Sequence, residues 1–125
     1  MNRTARPFAV GGIDCVCYLA RDLARARSFY EGVLGMLPTM QSERWIEYTL
    51  ADGATFGLTQ LPEGAWHAGG GAMFAVPDIG EAVARVRAAG APVYVEYMES
   101  PVCEIAWAGD LEGNGFALHK RKDDV

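Results

Sequence analysis

Cys-Val-Cys-Tyr-Leu-Ala-Arg-Asp at 15–22 and Gly-Ala-Met-Phe-Ala-Val-Pro-Asp at 71–78 begin two segments of the chain that follow one pattern. In both segments an apolar, strand-like run ends in an Asp, a helical pattern follows, and a Gly closes it. The two residues, Asp22 and Asp78, stand 56 positions apart. Because a repeated strand and helix unit in so short a chain allows few architectures, this repeat limits the fold and places a cleft between the copies.

The helices are predicted from the spacing of apolar side chains. After Asp22 and again after Asp78, apolar residues recur at positions i, i+3, i+4 and i+7, which share one face of a helix. Both Asp residues are suited to cap the first turn, and Gly35 and Gly90 to end each helix. Three strand candidates follow each helix, at about 39–41, 44–50, 54–60, 93–97, 102–108 and 115–120. The order strand, helix and three strands is therefore predicted twice.

The length of the chain, 125 residues, is typical of one domain. We expect a single domain over 1–125, with one module at about 10–61 and a second at about 71–122. A Gly- and Pro-containing linker at 62–70 joins the modules. A domain of this size buries roughly 65–70% of its unfolded surface, so it needs no disulfides to hold a core.

Charge and cysteine content restrict the partners and the compartment. The net charge of −5 argues against nucleic acid, whose phosphates require a basic surface. The three cysteines are an odd number, and the basic start of the chain meets Pro7 and two Gly instead of an apolar signal sequence. We therefore expect a cytoplasmic protein with no membrane partner.

Four motifs make the resemblance to a known family specific. They are Asp-x-x-x-Ala-x-x-Phe-Tyr-x-x-x-Leu-Gly at 22–35, Phe-x-Val-x-Asp-Ile at 74–79, Ala-x-Gly-Ala at 88–91 and Asp-Leu-Glu-Gly-Asn at 110–114. Together they resemble the vicinal oxygen chelate superfamily, which includes glyoxalase I, bleomycin resistance proteins and extradiol dioxygenases. The resemblance implies an α+β fold of two tandem βαβββ modules, a curved mixed sheet around a cleft, and a homodimer.

The family's metal-dependent members carry four ligands, which the resemblance transfers to particular positions. A His at the start of each module's first strand corresponds to Cys15 and Gly71, and a carboxylate on each last strand corresponds to Gly57 and Ala117. Three of these four residues have no side-chain ligand atom, and a lone thiol does not replace a four-ligand site. We therefore expect neither a metal nor another cofactor.

Candidate ligand contacts follow from the alternation of side chains along strands. Alternate residues face the cleft, where Trp45 and Trp107 offer flat apolar surfaces while Glu47, Thr59 and His119 offer polar groups. Trp66 and Tyr97 are further candidates for its walls. The predicted ligand-binding residues are Cys15, Cys17, Trp45, Glu47, Gly57, Thr59, Met73, Trp107, Ala117 and His119.

These residues favour a metal-independent protein that encloses an aromatic or planar small molecule in a dimer cleft. One alternative is a glyoxalase-like lyase, isomerase or dioxygenase with atypical or absent metal ligands, in which His119 or Glu47 acts as a general base. A rebuilt metal site from Cys15, Cys17 and His119 also stays open, as does Cys103 as a nucleophile. A regulatory module is a third class, but the sequence contains no motif for one.

Overall fold

The computed structural model describes residues 14–60 and 68–122, and in each half a strand and a helix are followed by three strands. The elements are β1 (Val16–Ala20), α1 (Leu23–Gly32), β2 (Pro38–Gln41), β3 (Trp45–Thr49), β4 (Thr55–Gln60), β5 (Ala72–Ala75), α2 (Ile79–Ala88), β6 (Val93–Glu99), β7 (Cys103–Gly109) and β8 (Gly115–Arg121). The predicted order is confirmed in both halves, with strand ends shifted by one or two residues.

The described strands form two four-stranded sheets of identical topology. Their orders are β1-β4-β3-β2 and β5-β8-β7-β6. The pairs β1 with β4 and β5 with β8 are parallel, whereas the remaining neighbours are antiparallel, so both sheets are mixed. The predicted α+β fold is confirmed, and β1 and β5 are edge strands of their own sheets.

The predicted helix caps are present. The carboxylate of Asp22 accepts a hydrogen bond from the amide of Arg25, and that of Asp78 accepts one from Glu81. Gly90 follows α2 with φ of +78°, a conformation that favours glycine. The helix residues that turn toward the sheets are buried as the spacing predicted: Leu23, Ala26, Phe29 and Tyr30 in α1, and Ile79, Ala82, Val83 and Val86 in α2.

Aromatic side chains join the two modules into one core. The ring centroids of Phe56 and Phe74 are 5.3 Å apart, and those of Phe29 and Phe116 are 6.1 Å apart. Each pair takes one ring from each module, and through Phe29 the helix α1 also packs against β8 of the second module. Val16 is paired with Phe56 on the side of the sheet that faces the helices, but it is 41% exposed because it stands at the start of β1 beside a cavity.

Some predictions fall outside the described residues. The first few residues of the predicted first module and most of the linker lie there, as does Trp66. The domain boundaries therefore stay predictions. Of the helices that the structure describes, none is long and apolar enough to cross a membrane.

Candidate functional site

The face of each sheet that points away from its helix carries the predicted site residues; we call it the helix-free face. Residues paired directly across neighbouring strands share a face. In the first sheet Gly57 is paired with both Cys17 and Glu47, and Thr59 is paired with Trp45. Their neighbours along β3 and β4, such as Ile46, Tyr48, Phe56 and Leu58, are buried on the other face.

The second sheet repeats this arrangement. Ala117 is paired with Met73 on one side and with Trp107 on the other, and His119 is paired with Ala75 and Ile105. Nine of the ten predicted residues therefore lie on the helix-free faces, and Cys15 directly precedes β1. The assignment of faces from sequence was correct. Contact with a ligand stays a prediction for all ten residues.

Trp45 covers the position where the family's carboxylate ligand would stand in the first module. A Cβ atom built on Gly57 would overlap Cη2 of Trp45, closer than real Cβ contacts allow. The indole thus lies over the glycine, and a Glu at this position requires the ring to move. The sequence pattern did not reveal this contact, for which a glycine inside a strand was the available signal.

The other implied ligand positions are closed to coordination for separate reasons. Gly71 has φ of +103°, a conformation that a His rarely adopts. Ala117 is fully buried. Burial, followed by the charges of Glu47 and Asp14, raises the pKa of the Cys15 thiol, and burial raises that of Cys17. Because the thiolate is the metal ligand and the nucleophile, both cysteines are poorly suited to either role at neutral pH.

The open alternatives find little support in the described side chains. Within residues 14–60 and 68–122, no group of three or more His, Cys, Asp or Glu side chains is placed to hold a metal ion. The rebuilt site of Cys15, Cys17 and His119 is therefore not formed there. The thiol of Cys103 stands 3.4 Å from the hydroxyl of Ser100, which is not a base that could activate it.

Exposed methionines extend the helix-free faces beyond the predicted residues. Met40 is paired with Glu47 and is 50% exposed, and Met98 is paired with Ile105 and is 49% exposed. Irregular register in β2 and β6 shifts these side chains relative to simple alternation, so the sequence pattern did not identify them. Trp107, 37% exposed, adds an accessible aromatic ring to the second sheet.

A cavity of about 700 Å³ is lined by β5 and by residues of the first module. Its walls include Val16, Thr55, Phe56 and Phe74, and Met73 is the predicted site residue on them. No pattern in the sequence indicated this cavity. Tyr97, predicted as a wall of the ligand cleft, instead lies beside Ile79 and Val83 of α2, so that expectation was wrong.

A family model described as the Glyoxalase/Bleomycin resistance protein/Dioxygenase superfamily matches residues 12–102. The chain therefore belongs to that superfamily, which confirms the resemblance read from its motifs. No curated protein shows significant sequence similarity to the chain.

Solved structures support the same fold. TnmS3, an antibiotic binding protein from Streptomyces sp. CB03234, is similar with a TM-score of 0.75 and 17% identity, over 92% of this chain and 99% of that one. Lactoylglutathione lyase from Agrobacterium tumefaciens has a TM-score of 0.69 and 20% identity, over 90% and 95% of the two chains. A glyoxylase/bleomycin resistance protein/dioxygenase domain from Frankia sp. EAN1pec has a TM-score of 0.71 and 17% identity, over 94% and 96%. At these identities the likeness concerns the fold alone.

Proposed function

We propose that this chain is a metal-independent small-molecule binding protein that holds a planar aromatic ligand against its helix-free faces. The observation that carries the proposal is the indole of Trp45 lying over Gly57, where a metal-dependent relative would have its carboxylate ligand. In place of a coordinating group, the first module presents the surface of an aromatic ring. A cytoplasmic location stays part of the proposal.

The chemistry of the faces favours a flat and partly apolar ligand. Met40, Met73, Met98 and Trp107 are each at least 37% exposed and lie on these faces. Thioether side chains adapt to irregular ligand shapes, and indole rings stack on planar groups. The antibiotic-binding neighbour TnmS3 supports a ligand of this kind by its printed description, although only the fold is shared at its level of identity.

The charge of the site favours a cation over an anion. Glu47 of β3 is paired with Gly57 of β4. Its carboxylate is close enough to Cys15 for the negative charge to raise the pKa of that thiol. The chain as a whole carries a net charge of −5. Stacking on indole and attraction to the carboxylate act in the same direction for a planar cation, and each cation–π contact contributes about 0.5–2 kcal/mol.

A second copy of the chain is the proposed cover of the ligand. The helix-free faces expose apolar side chains, and pairing of two copies would bury them while protecting the edges of the sheets. Size-exclusion chromatography with light scattering should give about twice the chain mass of 13.5 kDa. A monomer whose mass is independent of concentration would remove the dimer from the proposal.

Calorimetric titration with three tricyclic probes tests the ligand class. At pH 7 we expect cationic 9-aminoacridine to bind more tightly than neutral acridine, and acridine more tightly than anionic anthracene-9-carboxylate. The difference between the first and the last should be about tenfold or more, given two favourable cation contacts. If none of the probes binds, or if the order is reversed, the proposal fails.

Variants assign the binding to the helix-free face. Trp45→Ala should weaken all three probes, whereas Glu47→Gln should reduce the advantage of the cation and leave neutral acridine unchanged. Tyr97→Phe is the matched control, because that ring lies beside α2 and its loss of a hydroxyl should have no effect. A preference for the anion would instead favour the enzyme alternative and point to Lys120 and Arg121.

A further inference from the structure

The internal repeat allows the two contacts between the modules to be compared residue by residue. Where the end of β1 meets the start of β5, the phenol of Tyr18 bridges the modules. Its hydroxyl donates a hydrogen bond to the carbonyl of Gly115 at 2.7 Å and accepts one from the amide of Ala72 at 2.9 Å. We call this contact the packed junction.

The turn at 110–114 completes the packed junction. The carboxylate of Glu112 accepts hydrogen bonds from the amides of Arg21 and Asp22, at 2.7 and 3.0 Å. The carboxamide of Asn114 accepts one from the amide of Gly69 at 2.7 Å and donates one to the carbonyl of Leu19. Polar side chains therefore fill this contact between the modules.

The equivalent contact at the end of β5 lacks the phenol and the carboxamide, and Asp52 stands in place of Glu112. Phe74, the third residue of β5, stands where β1 has Tyr18, so the hydroxyl is absent. The turn at 50–54 closes like the turn at 110–114, with the amide of Leu50 bonded to the carbonyl of Ala54 at 2.8 Å. Ala54 stands in place of Asn114, so the carboxamide is also absent. We call this contact the open junction, and the cavity of about 700 Å³ lies there.

We propose that the open junction is a second small-molecule site, which takes a neutral phenol or a similarly small hydroxylated aromatic. Val16 and Thr55 both line the cavity. They are the first residues of β1 and β4, and they correspond to Ala72 and Gly115, the first residues of β5 and β8. The ligand hydroxyl bonds the amide of Val16 and the carbonyl of Thr55, as Tyr18 bonds the corresponding groups at the packed junction. The ring packs on Phe56 and Phe74.

Of the residues named for the ligand surface proposed above, this site shares Met73. Phe56 and Phe74 are buried core residues, whereas Trp45 and Glu47 lie on the opposite face of the first sheet. The second site therefore requires no planar cation, no dimer cleft and no contribution from Trp45. Either site can be present without the other.

The test is a titration of the full chain followed by ¹H–¹⁵N NMR, with p-cresol and toluene as probes. p-Cresol corresponds to the side chain of Tyr and toluene to that of Phe, so the two probes differ only in the hydroxyl group. We expect p-cresol to shift the amide signals of Val16, Thr55 and Ala75 and to bind about threefold to tenfold more tightly than toluene, the value of one or two hydrogen bonds. Equal affinities, or shifts confined to Cys17, Glu47 and His119, would overturn the proposal.

Two variants test whether p-cresol binds in the cavity of the open junction. Phe74→Tyr places a phenol in the cavity and should abolish the preference for p-cresol. Trp45→Ala should leave p-cresol binding unchanged, so a failure of the aromatic surface and a failure of this site give different results. If neither probe shifts the cavity signals and these signals move with protein concentration instead, a second copy covers the cavity and the proposal is wrong.

Discussion

The packed and the open junctions occupy equivalent places in two modules of the same topology, yet they differ in almost every polar side chain. At the packed junction Asp110 is buried and accepts hydrogen bonds from Tyr30 and from the amides of Glu112 and Asn114. At the open junction the corresponding position is Leu50, and a cavity lies beside it. Duplication thus preserved the strands and helices, while the residues between the modules diverged into a structural contact and an available space.

The largest expected effect is at Asp110. Asp110→Ala leaves the hydroxyl of Tyr30, two backbone amides and the side-chain amide of Asn114 without their buried acceptor. We expect the free energy of unfolding to fall by about 3 kcal/mol or more, because each buried unpaired donor costs roughly 1–3 kcal/mol. Urea unfolding followed by circular dichroism measures the loss.

Asp52→Ala, in the equivalent turn of the first module, is the control for this prediction. Its exposed carboxylate accepts one hydrogen bond, from the amide of Ala54, so we expect a loss below about 1 kcal/mol. Equal losses in the two variants would mean that the junctions are energetically alike and would remove the comparison.

The next largest effect is expected when the aromatic residues of the two junctions, Tyr18 and Phe74, are each changed to the other type. Tyr18→Phe removes the hydroxyl that bridges Ala72 and Gly115, and we expect a loss of about 1–3 kcal/mol in the free energy of unfolding. Phe74→Tyr adds a hydroxyl beside the cavity and should be neutral or stabilising. Thermal unfolding of both variants measures these changes in stability. A destabilised Phe74→Tyr together with an unaffected Tyr18→Phe would reverse the assignment of packed and open junctions.

A smaller effect is expected where the modules differ on their helix-free faces. Gly57→Ala forces the indole of Trp45 to move, and overpacking of this kind costs about 1–3 kcal/mol, with the low end expected because Trp45 is half-buried. The tryptophan emission spectrum should change at the same time. In a Trp45→Ala background the added methyl group should cost little. An equal cost in both backgrounds would show that Trp45 does not cover Gly57.

The smallest expected effect concerns the thiols of the first module. The charge of Glu47 helps to raise the pKa of Cys15, so Glu47→Gln should lower that pKa and increase the thiolate fraction at pH 8. We expect alkylation of Cys15 by iodoacetamide to become about twofold faster. Cys103, which lies in β7 of the second module, is the internal control and should react at an unchanged rate. Mass spectrometry of the labelled peptides separates the two sites.

The sequence predicted the fold well because local signals and the repeat agreed. The spacing after Asp22 and Asp78 gave the helices, and alternation gave the faces of Trp45, Glu47 and His119 correctly. Met40 and Met98 were missed because irregular register in β2 and β6 interrupts the alternation. The cavity was missed for a different reason, since it depends on how two distant segments meet and no local pattern records the space between them.

Calorimetric titration of 9-aminoacridine into the chain tests the central claim, that planar ligands bind here without a metal. One sample is treated with a chelator and dialysed, and matched samples receive zinc, nickel or manganese chloride. We expect saturable binding in the chelated sample, an affinity that the metals change by less than about twofold, and much weaker binding in Trp45→Ala, because stacking on the indole is the main contact. Binding that appears after a metal is added, and that survives Trp45→Ala, would contradict the account.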